Sequence, residues 1–437
     1  MKTWRLWMTL CMLFMAPSVW VRGEQNKQEN DALSRSRAAG IRYMLDCQEQ
    51  ERGAWLGAFG HPAVTALAVL GIYNTPEYLA DADIRARIDK ALDYIAGNAQ
   101  PDGSIFSGRR GPRPKGPEKS DDATKDGVNA DGNGANGGGP RGGRGLLGKL
   151  IGKKGSGRPE GPASPGGYAV YNTSICLLAL ATCNRPKDLE IIRKARAYLM
   201  GSDAIPKADG NVPQGGFGYG SQTRSDLNNT AWALDALHVT DYLDREPYAQ
   251  DTEAARRSEL AWDNAAKFVT ICQNLKDTNQ SAWVASASDD DKGGFIYCPQ
   301  DAMKDKPEAR ALRSYGTMTY SGLKSLIYAK VKKDDVRIQS AMEWVLKNYT
   351  LEENPGVGKA GLYYYYHTFA KTMSLLDMPA VTDAKGNNHD WKAELATTLI
   401  ARQRQDGSWC NEESGRWMES IPQLSTAYCL MAMQYLK

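Results

Sequence analysis

Hydrophobic and polar positions along the chain repeat a two-helix unit. A helical stretch ends near a Gln, a Gly-rich turn carrying an aromatic follows, and a second helical stretch rich in Thr, Ala, Leu and small residues completes the unit. The first copy runs from Gln48 through Gly53-Ala54-Trp55 to Val64-Thr65-Ala66-Leu67. The second opens at Gln100-Pro101-Asp102-Gly103-Ser104 and resumes after an insertion at Gly166-Gly167-Tyr168. Later copies join Gly215-Gly216-Phe217 to Thr230-Ala231-Trp232, Gly293-Gly294-Phe295 to Thr319-Tyr320-Ser321, and Gly361-Leu362-Tyr363 to His367-Thr368-Phe369. The sharpest copy is the last, Gln403-Arg404-Gln405-Asp406-Gly407-Ser408-Trp409 leading into Leu424-Ser425-Thr426-Ala427-Tyr428. In each turn Gly admits φ > 0, the aromatic supplies area to bury, and Asp or Ser can cap the following helix.

A stacked helical hairpin leaves one face bare, so an array either carries polar caps or closes on itself, and neither end of this chain reads as a cap. The pattern therefore predicts an all-α protein, a closed α/α toroid of about six helical hairpins over residues 31–437, with roughly 60 residues per unit. The segment 107–165 interrupts it. Gly, Pro, Asp, Asn, Lys and Arg dominate there, as in Ala135-Asn136-Gly137-Gly138-Gly139-Pro140, and such a stretch is expected to be a disordered insertion because it cannot bury a core.

Composition adds limits. A hydrophobic content of 42% and 11 Trp over 437 residues suffice for a large core, while a net charge of +3 gives no reason to expect nucleic acid or an anionic membrane as partner. Lys2 and Arg5 precede an apolar run from Leu6 to Val21, and polar sequence begins at Glu24. This reads as a signal peptide over 1–23, so the mature protein is expected to be exported, periplasmic or extracellular; the same features also fit an uncleaved N-terminal anchor. No later stretch is apolar enough to span a bilayer. Loss of Cys11 leaves Cys47, Cys176, Cys183, Cys272, Cys298, Cys410 and Cys429. Several occupy apolar helical positions and are expected to be buried free thiols, with Cys298 and Cys410 in loops.

These units resemble the prenyltransferase and squalene-oxidase repeat of squalene-hopene cyclases and protein prenyltransferase β-subunits. The element from Gln403 to Trp409, together with the Gly-Gly-Phe turns, looks like the QW motif of that superfamily. The resemblance implies an α/α toroid over nearly the whole mature chain, but the same fold serves cyclases, transferases and non-catalytic proteins.

Cyclases of this type protonate an alkene with an acid of an Asp-x-Asp-Asp-Thr-Ala motif. Here the matching stretch reads Asp226-Leu227-Asn228-Asn229-Thr230-Ala231, and the Asn228 amide at the donor's place has no ionisable proton to give. The transferases hold zinc with an Asp, a Cys and a His. His367 resembles that His, but Arg313-Ser314-Tyr315-Gly316-Thr317 offers neither carboxylate nor thiolate, and one His is no zinc site. No metal or cofactor is expected. The run Asp289-Asp290-Asp291 reads as a solvated turn before Gly293.

If the ring closes, residues at the starts of the inner helices meet at one mouth of its cavity. Asp226, Arg313 and His367 are the candidate catalytic groups there: a carboxyl to orient or accept, a guanidinium to hold an anion and an imidazole to move a proton. Candidate ligand-binding residues are His61, Asn228, Asn229, Tyr315, Tyr366, Trp417, Glu419 and Gln423. Helix N-termini collect the same residue types for capping, so both readings stand. Three functions fit: binding, with or without transformation, of an apolar or isoprenoid-like small molecule; a non-catalytic extracytoplasmic scaffold for protein or envelope glycan; and a polysaccharide lyase or hydrolase on a toroid.

Overall fold

The computed structural model describes residues 16–56, 62–107, 168–203, 215–220, 224–249, 252–299 and 312–436. His61, the start of the expected signal peptide, and residues 108–167, nearly the whole expected insertion, lie outside these. In chain order the helices are α1 Ala16–Asp46, α2 Pro62–Ile72, α3 Pro76–Ala80, α4 Ala82–Ala96, α5 Ala169–Cys183, α6 Leu189–Asp203, α7 Leu227–Val239, α8 Thr252–Ile271, α9 Gly316–Tyr328, α10 Val336–Lys347, α11 Leu362–Leu376, α12 Trp391–Ala401 and α13 Pro422–Met433. α1 passes through Gly23, the expected cleavage point. One two-stranded antiparallel ribbon, Val381–Thr382 with Asn388–His389, precedes α12. Among the described residues no helix is long and apolar enough to cross a membrane.

Two sets of helices alternate along the chain. α2, α5, α7, α9, α11 and α13 are buried almost all round, as helices lining an interior must be. α4, α6, α8, α10 and α12 keep an exposed face. Each inner helix packs on the next, and α13 packs on α2; outside, α12 packs on α1. The neighbour relation among the hairpins is therefore cyclic, with the chain's last pair seated on its first.

The repeated Gly, Gln and Thr make these joints. Gly53, Gly103, Gly215, Gly293 and Gly407 all have positive φ, and a Cβ on any of them would meet the backbone of the next outer helix, for example 2.0 Å from the Asn264 carbonyl oxygen for Gly215 and 2.5 Å from that of Ala39 for Gly407. Only glycine fits. The Gln before a turn donates twice: Gln273 Nε2 to the Gly293 carbonyl of its own turn (2.9 Å) and to Arg337 in α10 (2.8 Å), and Gln48 likewise to Gly53 and to Arg87 in α4. A fully buried Thr of the inner helix takes the N–H of the turn's key residue: Trp55 on Thr65, Ile105 on Thr173, Phe217 on Thr230, Phe295 on Thr319 and Trp409 on Thr426, at 2.8–3.1 Å. A buried N–H left without that acceptor would cost about 1–3 kcal/mol, which explains the recurrent Thr.

The fifth unit differs from expectation. Leu362 and Tyr363 already belong to α11, and Thr368 donates back to the Tyr364 carbonyl instead of receiving a turn N–H. Asp291 is also not solvated. It is buried, accepts from Ser314 N at 2.8 Å and takes the Ser288 hydroxyl, so it pins the chain entering α9. Among the described residues no disulfide joins the seven cysteines, and Cys298 is buried with its thiol on the Ser225 carbonyl.

Candidate functional site

At the starts of the inner helices polar groups are spent largely on helix ends. Asp226 is the N-cap of α7, and its two oxygens accept from Asn229 N (2.8 Å) and Asn229 Nδ2 (2.7 Å). Burial raises its carboxyl to about 6 against the restraint of the Asn229 and Tyr297 hydrogen bonds. Glu419, fully buried, accepts from Tyr364 N at 2.8 Å and from Asn411 Nδ2 at 2.8 Å; it caps α11, whose N-cap Gly361 has no side chain to do so. Asn354 caps α9 in the same way through Thr317 N. Asn228 is half-buried in the first turn of α7 with Oδ1 unpartnered. Tyr315 stacks on the exposed Trp417, centroids 6.3 Å apart. Tyr366 is fully buried with its hydroxyl on the Leu351 carbonyl, and Gln423 is half-buried in the first turn of α13.

Asp226, Arg313 and His367 occupy three different settings. Arg313 has a side chain 55% exposed and pairs through Nε with Asp291 at 3.2 Å. His367 is buried in the ring, stacked between Trp232 (5.8 Å) and Tyr428 (6.4 Å), with Tyr364 at 6.4 Å. Among the described residues the hydrogen bonds, ion pairs and ring contacts of the three go to other partners.

His367 instead belongs to a cluster one to two turns further along the inner helices. Asp235 of α7 is fully buried and holds Lys324 of α9 at 2.5 Å through Oδ2 and Lys371 of α11 at 3.0 Å through Oδ1. Trp232 lies one turn before Asp235, His367 one turn before Lys371, and Tyr328 one turn after Lys324, so helical spacing puts each set on one face. Lys324 Nζ stands 5.9 Å over the Trp232 ring. Tyr328 stacks on His238 at 4.2 Å.

Charges in this interior control one another. Burial opposes ionisation of Asp235, but Lys324 and Lys371 outweigh it and bring the carboxyl down to about 2. Burial pulls Lys324 down to about 8 although Asp235 supports its charge; at Lys371 the carboxylate outweighs burial, and the ammonium is held well above its ordinary value. Burial, then Lys371 and Lys324, press His367 well below its ordinary range. Its imidazole is neutral at pH 7, and Nδ1 has no partner among the described residues. Tyr171, Tyr364, Lys371 and Tyr435 keep some accessible surface.

Such a cluster sets aromatic faces beside an ammonium pair and a neutral imidazole, groups that can stack an apolar molecule and meet an anion. Among the described residues no three His, Cys, Asp or Glu side chains are placed to hold a metal ion. Sequence reading missed Asp235, Lys324 and Lys371 by looking at helix starts. The available signal was a charged residue inside an otherwise apolar inner helix, as in Ala233-Leu234-Asp235-Ala236-Leu237, because such groups are almost never fully buried unless paired.

No family model and no curated protein matches the sequence. Among solved structures the chain is similar to the type II terpene cyclase MstE from Scytonema, in complex with its product merosterolic acid A, at 14% identity and a TM-score of 0.44 over 94% of this chain and 98% of that one. The architecture itself is one of all-α hairpins in cyclic order.

Proposed function

We propose that this chain is an exported ring protein that binds an apolar, isoprenoid-like molecule in its interior. The observation that carries this reading is the aromatic belt of Trp232, His367, Tyr364 and Tyr428, donated by three inner helices and turned on one another deep in the ring. Flat rings of which Tyr364 keeps accessible surface favour an apolar guest by area buried and by stacking. The repeat's resemblance to cyclase and transferase units supports the isoprenoid class, and the apolar leader from Leu6 to Val21 supports export.

The reading is one of binding, with any chemistry departing from alkene protonation. Asn228 supplies no acid, and Asp226, whose oxygens serve α7, is committed to its cap. The test is extraction of the purified full chain for lipid analysis by mass spectrometry, joined to a farnesol titration followed by Trp fluorescence. A co-purifying isoprenoid, or saturable quenching that Trp232→Phe abolishes, is expected. Absence of both sinks the reading.

A further inference from the structure

Among the described residues, the cluster at Asp235 carries one more positive charge than negative. Among the described residues Lys324 and Lys371 share Asp235 as their only carboxylate partner, and the other groups acting most strongly on them are neutral or positive: Tyr328 and Tyr435 on Lys371, and Lys371 on Lys324. An unbalanced ammonium away from water is costly, because attraction to a single shared carboxylate does not repay the desolvation of two cations. Beside it, buried His367 leaves Nδ1 without a partner among the described residues. A ligand that supplied one negative charge would balance the cluster and give the imidazole a neighbour.

Resting on the binding function proposed above, we infer that the guest is an apolar carboxylic acid, its chain against the belt of Trp232, Tyr364 and Tyr428 and its carboxylate between Lys371, Lys324 and the edge of His367. The surplus is a single charge, which fits a monoanion; a diphosphate would bring more negative charge than the cluster lacks. The Lys371 side chain is more accessible than that of Lys324, 12% against 5%, so Lys371 makes the first contact and Lys324 holds Asp235 in place.

Farnesoic acid, farnesol and farnesyl diphosphate are titrated into the full-length protein by calorimetry at pH 7.5. The acid is expected to bind at least about tenfold tighter than the alcohol, the scale of one hydrogen bond to a charged group. In Lys371→Met, which leaves Lys324 and Asp235 as a balanced pair, the preference should vanish while farnesol still binds. Retained farnesol binding also reports that this variant is folded, and Lys371→Arg should keep the preference. If acid and alcohol bind equally to the unmodified protein, the carboxylate assignment fails and the apolar-guest reading stands. Tighter binding of the diphosphate than of the acid overturns the monoanion. If none of the three binds, the function proposed above fails and this inference fails with it.

Discussion

Gln403 donates from Nε2 to the carbonyl of Ser36 at 2.8 Å, across 367 residues of chain, while the same amide holds its own turn at Gly407 (2.9 Å). It is the bond that Gln273 makes to Arg337 inside the array, repeated where the end of the chain meets its beginning. Gln403→Ala and Gln273→Ala should therefore destabilise by similar amounts, about 1–3 kcal/mol for two lost bonds to partly buried carbonyls. Urea unfolding compares the two. A cost at Gln273 with none at Gln403 would mean that the terminal joint is open in solution.

The turn glycines give a sharper contrast. At Gly215, φ is +118° and a Cβ would sit 2.0 Å from the Asn264 carbonyl oxygen; Gly201, in the last turn of α6, meets nothing within 4 Å. Gly215→Ala should cost about 3–5 kcal/mol through strain and displacement of α8. Gly201→Ala should be neutral or stabilising by up to about 1 kcal/mol. Thermal melts that failed to separate the two would contradict close docking of the turn on α8.

Much of this ring was legible because its joints are local and repeated. Each unit keeps one order of residues, a Gln, then the turn Gly, then a Thr of the inner helix, as in Gln48, Gly53 and Thr65 or Gln403, Gly407 and Thr426, although the spacing between them varies from unit to unit. The fifth unit was read too regularly, since a capping carboxylate supplied by Glu419 from the next unit leaves no mark at Gly361. The polar interior was not legible for a related reason. Asp235, Lys324 and Lys371 come from three units 136 residues apart end to end (371 − 235) and meet only once the ring is formed. Arg313 and His367 looked equivalent as residues at inner-helix starts, but the salt bridge to Asp291 takes one to the surface and stacking on Trp232 keeps the other inside.

Asp235 and Lys324 should respond oppositely to loss of charge. Asp235→Asn leaves two buried ammoniums with no counter-charge and should cost about 3–5 kcal/mol. Lys324→Met removes the cation that burial pulls down to about 8 and leaves Lys371 paired with Asp235, so the unliganded protein should be unchanged or more stable. Denaturant midpoints of both variants decide the matter. Marked destabilisation by Lys324→Met would show that the second ammonium is needed by the empty ring.

Asp226 offers a test by pH. Its folded carboxyl stands at about 6 against an ordinary 3.8, so between those values the folded state binds more protons than the unfolded chain, and stability falls as pH rises through the window. Below the ordinary value both states are protonated and the contribution is fully present; above about pH 6 it is gone, a difference of at most roughly 3 kcal/mol. Asparagine is as good an N-cap as aspartate and does not ionise. Asp226→Asn should accordingly differ little from the unmodified protein at pH 7, or exceed it in stability, and lose that relative gain as the pH is lowered to 4. Since Glu419, His389 and the other titrating groups are common to both proteins, the difference between their stability curves isolates residue 226. A parallel pair of curves between pH 4 and 7 would show that the buried carboxyl ionises as freely as in the unfolded chain.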